Sequence, residues 1–562
     1  MRKAYLFCHN RSFFIRSTSS QERLSIGKRS ERSQIRFRYG RQWDPLTRAG
    51  YAMLLAQLFV LLLWLAMGVF PASAQAAPTA KPAPDPCASG HEFATTDCTL
   101  TWHGITVYGA YDIGVGWVSH GLPENGYNYE GASLVNRNGF QHRFLIAPNN
   151  LQQTGLGIRG KEEFHAGWYV VFNASTGINP QSGLLANASA TDTINNGLPR
   201  KSYSYAIDGA RAGQPFNDEI YVGVSSTKFG TMTFGRQRAL GTDAMLLYDP
   251  VAGGYAFSFI GYNGTMAGGG DTEDTRWDDA VKYRFTYGPV HFGAMYKFAD
   301  GSAGCYSATA GWTAATCTPE SAHNNAYGFD LGGEYRKLSV DAVYQHYNQA
   351  ISVLNPLLGP QSPTQSFQST TDSINTNQIT GTNLIDTHNT VYGIVTDNNA
   401  VMVAAKYAWD PFKFFAGYEY IWLNNPHDPL GVGASDQGGY ILSGVEDKNL
   451  DSERLMHIWW TGVKYTYRSK TDFTFSWYQQ RQNTFRVPPT CVFGNFRSSC
   501  AGNLNEGSIY ADYHFTKRLD GFAGIAYSWV SGGLAIAIPH GPGVPFFSNN
   551  NLAPTMGVRF AF

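Results

Sequence analysis

From Ile105 to the last residue, apolar and polar side chains alternate with a period of two, segment after segment. That period belongs to a strand with one face in oil and the other in water. In the first segment Ile105, Val107, Tyr111, Ile113, Val115 and Trp117 share one parity, and Thr106, Tyr108, Ala110, Asp112 and Gly114 take the other. A half-buried soluble sheet shows the same pattern in any one strand, so number and spacing must discriminate.

Sixteen such segments are expected, at 104–118, 153–164, 167–178, 217–227, 230–237, 278–287, 289–299, 325–336, 338–347, 399–409, 412–423, 454–468, 471–483, 505–516, 519–530 and 552–562. Most have the roughly 10 residues that cross a bilayer at a tilt. Their connections alternate without exception. The short ones are His165-Ala166, Lys228-Phe229, Gly288, Lys337, Asp410-Pro411, Ser469-Lys470 and Lys517-Arg518. The long ones, about 119–152, 179–216, 238–277, 300–324, 348–398, 424–453, 484–504 and 531–551, are mostly polar and rich in Gly, Asn, Ser and Thr. A soluble β-sandwich has no reason to sort its loops by side.

The expected fold is therefore all-β: a transmembrane antiparallel β-barrel of sixteen strands with short periplasmic turns and long outer loops. An open edge in hydrocarbon leaves backbone groups unpaired at several kcal/mol each, so first and last strands must meet. Charge keeps to one face: Val290, Phe292, Tyr296 and Phe298 oppose His291 and Lys297, and Phe412, Phe414, Tyr418 and Trp422 oppose Lys413 and Glu419. Aromatics at 14% and 61 glycines suit such strands, and Tyr407, Trp409, Tyr420 and Trp422 are placed for interfacial girdles.

One segment departs from the pattern. Met53–Phe70 is almost wholly apolar, follows Arg48 and precedes Pro71-Ala72-Ser73-Ala74-Gln75-Ala76, the three parts of a secretory signal. The competing reading is a single membrane anchor. Residues 1–47 are basic and aperiodic, either a long leader or the product of a misassigned start. The expected organisation is 1–77 removed, 78–103 a periplasmic N-terminal segment, and 104–562 the barrel.

Residues 1–77 hold 12 of the 42 Lys+Arg and 3 of the 42 Asp+Glu, so the chain beyond carries 30 bases against 39 acids. An acidic chain argues against nucleic acid as a partner. The same excess of acid predicts mild cation preference in a pore.

Beyond Cys8, six cysteines form three close pairs: Cys87 with Cys98, Cys305 with Cys317, and Cys491 with Cys500. Local disulfides fit an exported protein. Metal ligation is the alternative, but the Cys-x-x-Cys spacing is missing. No metal or other cofactor is expected. Gly-x-Ser-x-Gly, His-Glu-x-x-His and a phosphate-cradling lysine loop are missing too, so a barrel hydrolase is a weak rival.

Several patterns carry a family resemblance over about 104–562. They are Leu156-Gly157-Ile158-Arg159-Gly160-Lys161-Glu162-Glu163-Phe164; Ile220-Tyr221-Val222-Gly223-Val224 followed by Phe229 to Gln237; Gly269-Gly270-Asp271-Thr272 with Arg276-Trp277-Asp278-Asp279-Ala280-Val281-Lys282-Tyr283; and the closing Gly557-Val558-Arg559-Phe560-Ala561-Phe562. Together and in order these resemble the trimeric general-diffusion porins of Gram-negative bacteria, especially the beta-proteobacterial group.

The resemblance implies a cell outer-membrane channel for small hydrophilic solutes and ions, a homotrimer in contact with lipid and lipopolysaccharide, and a terminal aromatic read by the barrel-insertion machinery. It also implies that loop 238–277 folds inward, with Asp243, Asp249, Asp271, Glu273 and Asp274 facing Arg236 and Arg276 across a constriction. Charges so opposed order water and penalise apolar solutes. Ala110 and Gly155 stand where some relatives are basic. Arg236 shares parity with outward Met232 and Phe234 unless Gly235 forms a bulge. A substrate-specific channel, to which loop 348–398 contributes, and an adhesion barrel are the remaining alternatives.

Overall fold

The computed structural model describes residues 86–120, 142–186, 214–263, 275–298, 325–354, 391–427, 450–485, 501–535 and 549–562, together with the backbone of short strands at 306–307, 311–312, 435–437, 440–446, 491–493 and 496–498. Residues 1–77, and the side chains of Cys305, Cys317, Cys491 and Cys500, lie outside the described set.

Elements are numbered in chain order. A short helix α1 (Gly90–Thr95) and strand β1 (Leu100–Trp102) precede β2 (Ile105–Val118), β3 (Arg143–Pro148), β4 (Gly155–His165), β5 (Trp168–Gly177), β6 (Glu219–Ser226) and β7 (Gly230–Arg238). Helices α2 (Leu240–Tyr248) and α3 (Phe259–Asn263) follow, then β8 (Arg276–Tyr287), β9 (Val290–Lys297), β10 (Ala326–Tyr335), β11 (Leu338–Leu354) and β12 (Val391–Trp409). The chain continues with β13 (Phe412–Asn424), β14 (Arg454–Tyr467), β15 (Thr471–Gln482), β16 (Gly502–His514), β17 (Leu519–Gly532) and β18 (Asn550–Ala561).

Strands β2 and β4 to β18 are the sixteen staves of one closed antiparallel barrel. Each pairs with its sequence neighbours, and β18 closes on β2 from Ala110 opposite Ala561 to Gly116 opposite Thr555. Gly109 and Phe562 exchange both backbone hydrogen bonds at 2.9 Å. No described helix is long and apolar enough to cross a membrane; the strands do the crossing.

The two faces separate by parity. Val115, Ile146, Val222, Phe475, Ile509 and Met556 are large apolar side chains left exposed on the outside. Such a continuous belt belongs against hydrocarbon. One residue away on the inner face, Asp112, Gln345, Glu419, Ser476, Glu506 and Ser528 are buried.

The wall is irregular at its seam. One edge of β2 pairs with β4 below (Ile105 opposite Gly160) and with β3 above (Val118 opposite Arg143), and residues 149–154 bridge the two. On the other edge β18 ends at the level of Gly109, and β1 takes over below it, Leu100 opposite Val107. The segment carrying β1 is stapled by a Cys87–Cys98 disulfide, Cα–Cα 5.0 Å. It is held to the β16–β17 turn by Arg518, whose guanidinium donates to the Phe93 and Cys98 carbonyls and stacks 4.0 Å over the Phe93 ring.

Three features differ from the sequence-based expectation. Strands β11 and β12 run on past Tyr347 and before Asn399, pairing from Ala350 opposite Thr396 to Leu354 opposite Tyr392 after a register shift. Strand β3 lies inside the stretch read as loop 119–152. Strand β8 starts at Arg276, two residues before the expected 278, and helices α2 and α3 lie within the loop that precedes it.

Candidate functional site

The chain leaves β7 through a bulge. Gly235 has φ +123°, a conformation L side chains rarely adopt, and the β7–β8 register shifts between Gly235 and Gln237. Ala239 N–H donates to Thr275 O at 3.0 Å, pinning the two ends of the loop together. Between them, residues 240–263 lie against the inner wall.

Helix α2 buries Leu240, Ala244, Met245 and Tyr248. Gly241 N–H donates to Gln345 Oε1 at 2.5 Å, the Tyr248 and Ser339 hydroxyls meet at 2.6 Å, and Trp460 Nε1–H donates to Tyr248 O at 3.0 Å. After the helix, Asp249 closes a cap. It accepts from Tyr478 Oη–H at 2.6 Å and from the Gly253 and Val251 amides at 2.7 and 3.3 Å. Burial pushes this carboxyl above the ordinary range, against those hydrogen bonds.

Further on, Phe257 stacks on Tyr510 with centroids 4.8 Å apart and meets Phe522 edge-on. Ser508 Oγ–H donates to Phe257 O at 2.7 Å, and Phe259 N–H donates to Glu506 Oε1 at 3.0 Å. The tip then reaches the seam, where Tyr255 and Ala256 N–H donate to Asn149 O and Asn150 O at 3.3 and 3.1 Å. The loop thus has contacts with staves from β11 round to β17, and with the 149–154 bridge.

Charge concentrates where the loop starts. Asp243 on α2 meets Lys282 Nζ at 2.5 Å and Arg284 at 2.7 Å, and Arg284 also meets Asp330 at 2.9 Å. Burial alone would raise the Asp243 carboxyl; Lys282 and Arg284 outweigh it and hold it below the ordinary value. Beside them Asp218 binds Arg238 at 2.9 Å and Arg276 at 2.7 Å. Arg236 donates to Asn217 O at 3.0 and 3.3 Å and to Asp278 at 2.7 Å.

The nominated residues therefore occupy different settings. Asp243 sits in a contact network of bases, Asp249 in a cap of uncharged donors, and Arg276 and Arg236 are bound to acids of the wall. Asp271, Glu273 and Asp274 lie outside the described residues. Sequence reasoning missed Lys282, Arg284, Arg238, Asp218 and Asp330. Lys282 and Arg284 share parity with inward Ala280, so the alternation of β8 carried the signal. On β4, Arg159 and Lys161 are exposed into the lumen over the rings of Tyr108 and Tyr169, at 5.1 and 4.1 Å.

Asp512, His514 and Asp520 bring ligand atoms within 4.8 Å of one another. Arg559 lies 3.1 and 2.6 Å from the two carboxylates, and His514 bonds Asp520 at 2.7 Å, so this group is a self-compensated ion-pair cluster.

Residues 63–533 match the family model for Gram-negative porins. This chain belongs to that family. As a porin it is a multi-pass protein of the outer membrane, and family and fold point to a channel rather than an enzyme. An outer membrane porin protein of Bordetella pertussis is 24% identical over 196 residues, 34% of this porin and 42% of the relative, so the match takes in less than half of that protein. Among solved structures, the anion-selective porin from Comamonas acidovorans has a TM-score of 0.48 at 13% identity, covering 82% of this porin and 99% of that chain. For OmpT of Vibrio cholerae the figures are 0.46, 12%, 83% and 99%.

Proposed function

We propose that this porin is a water-filled channel through which small hydrophilic solutes and ions diffuse passively across the outer membrane. One observation carries the reading: a closed barrel whose inner face is polar holds residues 239–263 along its inner wall, leaving Arg159 and Lys161 of stave β4 open to water. Substrate specificity would require groups dedicated to one solute. Among the described residues the loop's acids are instead engaged, Asp243 by Lys282 and Arg284 and Asp249 by Tyr478. Planar-bilayer recording tests this. Stepwise conductance with ohmic current and non-saturable solute flux is expected; saturable flux, or block by one solute at low concentration, would favour a substrate-specific channel instead.

The same reading makes the protein a homotrimer. Val107, Val115, Leu156, Ile158 and Val222, with Ile146 of β3, make the exposed face of β2 to β6 mainly aliphatic, with exceptions such as Tyr111 and Phe144, while aromatics such as Tyr407, Trp409, Phe414, Trp459, Phe475 and Tyr513 outnumber aliphatics such as Leu338, Ile509 and Ile525 on the far side. Aromatic rings favour the lipid interface, and an aliphatic face suits a second copy. Lipid and lipopolysaccharide would then meet the aromatic side, and the outward Phe560 and Phe562 would be the handle for the insertion machinery. Light scattering of the detergent-solubilised protein giving one chain per particle would overturn the trimer.

A further inference from the structure

The tip of the inner loop is fastened to a turn that is itself folded round a single side chain. Asp112 projects inward from β2 at the level where the stave's partner changes from β4 to β3. Its Oδ1 accepts from Asn150 N–H and Nδ2–H at 3.1 and 2.9 Å, and its Oδ2 accepts from Leu151 and Gln152 N–H at 2.7 and 3.0 Å. Thr154 Oγ1 accepts from Asp112 N–H at 3.0 Å and donates to Asp112 O at 3.2 Å. Asn149 Oδ1 accepts from Thr154 N–H at 2.9 Å. Asp112, Asn149, Asn150, Leu151 and Thr154 are all buried.

Three amides in sequence converging on one carboxyl group fix the direction of the carbonyls that share their peptide planes. Two of those carbonyls, of Asn149 and Asn150, receive the Tyr255 and Ala256 amides of the loop tip, and Tyr255 Oη–H donates to Gln153 Oε1 at 3.0 Å. The fit leaves no slack: a Cβ added to Gly254 would lie 2.6 Å from Asn150 O and 2.9 Å from Leu151 Cα. The helix end of the loop is separately held by Tyr248, Asp249 and Trp460. On the other side of the tip Phe257 and Phe259 are held by Ser508, Tyr510 and Glu506, so the turn's own share is to fix Gly254 to Ala256 at the seam.

We propose that Asp112 is a positioning residue for the pore: it builds the 149–154 turn that fastens the loop tip, and so sets the width and steadiness of the open channel without touching a solute. The proposal rests on the channel reading above. In Asp112→Asn the atom replacing one oxygen is a donor, so two of the four N–H groups face another donor, and the turn loosens. Asp112→Asn, Gly254→Ala and the double variant are recorded in planar bilayers beside the unaltered protein, and the heat resistance of each folded barrel is read by gel mobility.

Each single variant is expected to lose the one steady conductance level, with noisier current and closure at lower voltage. The double variant should be no worse than the more affected single one, because both substitutions break one contact. If Asp112→Asn keeps the unaltered current, the proposal fails even where heat resistance drops. Effects that simply add would also overturn it. Should Asp112→Asn not fold, Thr154→Val, which removes the hydroxyl bound to the Asp112 main chain, is judged by the same two criteria. No current from the unaltered protein would sink the channel reading instead.

Discussion

Ile509 and Ser508 are neighbours in one stave, yet they belong to regions built on different principles. Ile509 faces out and any large apolar side chain serves there, since lipid imposes no shape. Ser508 faces in, where its hydroxyl donates to the Phe257 carbonyl and meets Ser476 Oγ at 2.6 Å. The outer wall is specified by polarity repeated many times, and the inner loop by single contacts that occur once. Redundancy makes the wall tolerant of mild change and intolerant of charge; uniqueness makes the loop sensitive to one atom.

Ile509→Lys should break the wall and leave the loop alone. A lysine on the lipid face costs about 2–4 kcal/mol near the midplane, measurable as a lower urea midpoint for the barrel in vesicles. The current of whatever folds should be unaltered. Tyr478→Phe reverses the pattern. Loss of the donor to buried Asp249 costs about 1–3 kcal/mol locally, and unsteady single-channel current with little change in barrel stability is expected. Equal effects of both variants on current would erase the contrast.

The Asp243 network sharpens the comparison through pH. Its carboxyl titrates lower in the folded loop than in an unfolded chain. The pairing with Lys282 and Arg284 therefore stabilises the loop fully above the unfolded value, about 4, and is lost as pH falls through the lowered one. Conductance should be flat down to that acid range. Lys282→Ala removes one base, so the acid transition should move to higher pH in recordings from pH 7 downward. The smallest effect concerns the permeating ions. The acidic excess beyond residue 77 predicts a mild cation preference, and a reversal potential of anion sign in a salt gradient would contradict it.

What the sequence discloses follows the same division. Parity alone assigns Phe292 and Tyr296 outward and His291 inward, because the pattern repeats on every stave. It loses the upper ends of β11 and β12, where residues such as Asn348 and Asn398 are polar without alternation. Arg236 sits at a place where parity depends on backbone geometry, and the register shift after Gly235 is a tertiary fact. The loop's anchors are hidden for another reason. Phe257 and Ser508 stand 251 positions apart, and nothing local in either stretch announces the other. Lys282 and Arg284 were within reach, being inward by the parity of their own stave.

The seam has a consequence for how such a chain is assembled. Because β2 finds its β18 partner only after every other stave exists, the growing sheet carries two raw edges until the final dozen residues arrive, and no cylinder can form on a truncated product. The hairpin of β1 on β2 covers part of one raw edge from the outset, at the height the last stave never reaches. Closure is thus left as one late, long-range event whose register is already bounded from below.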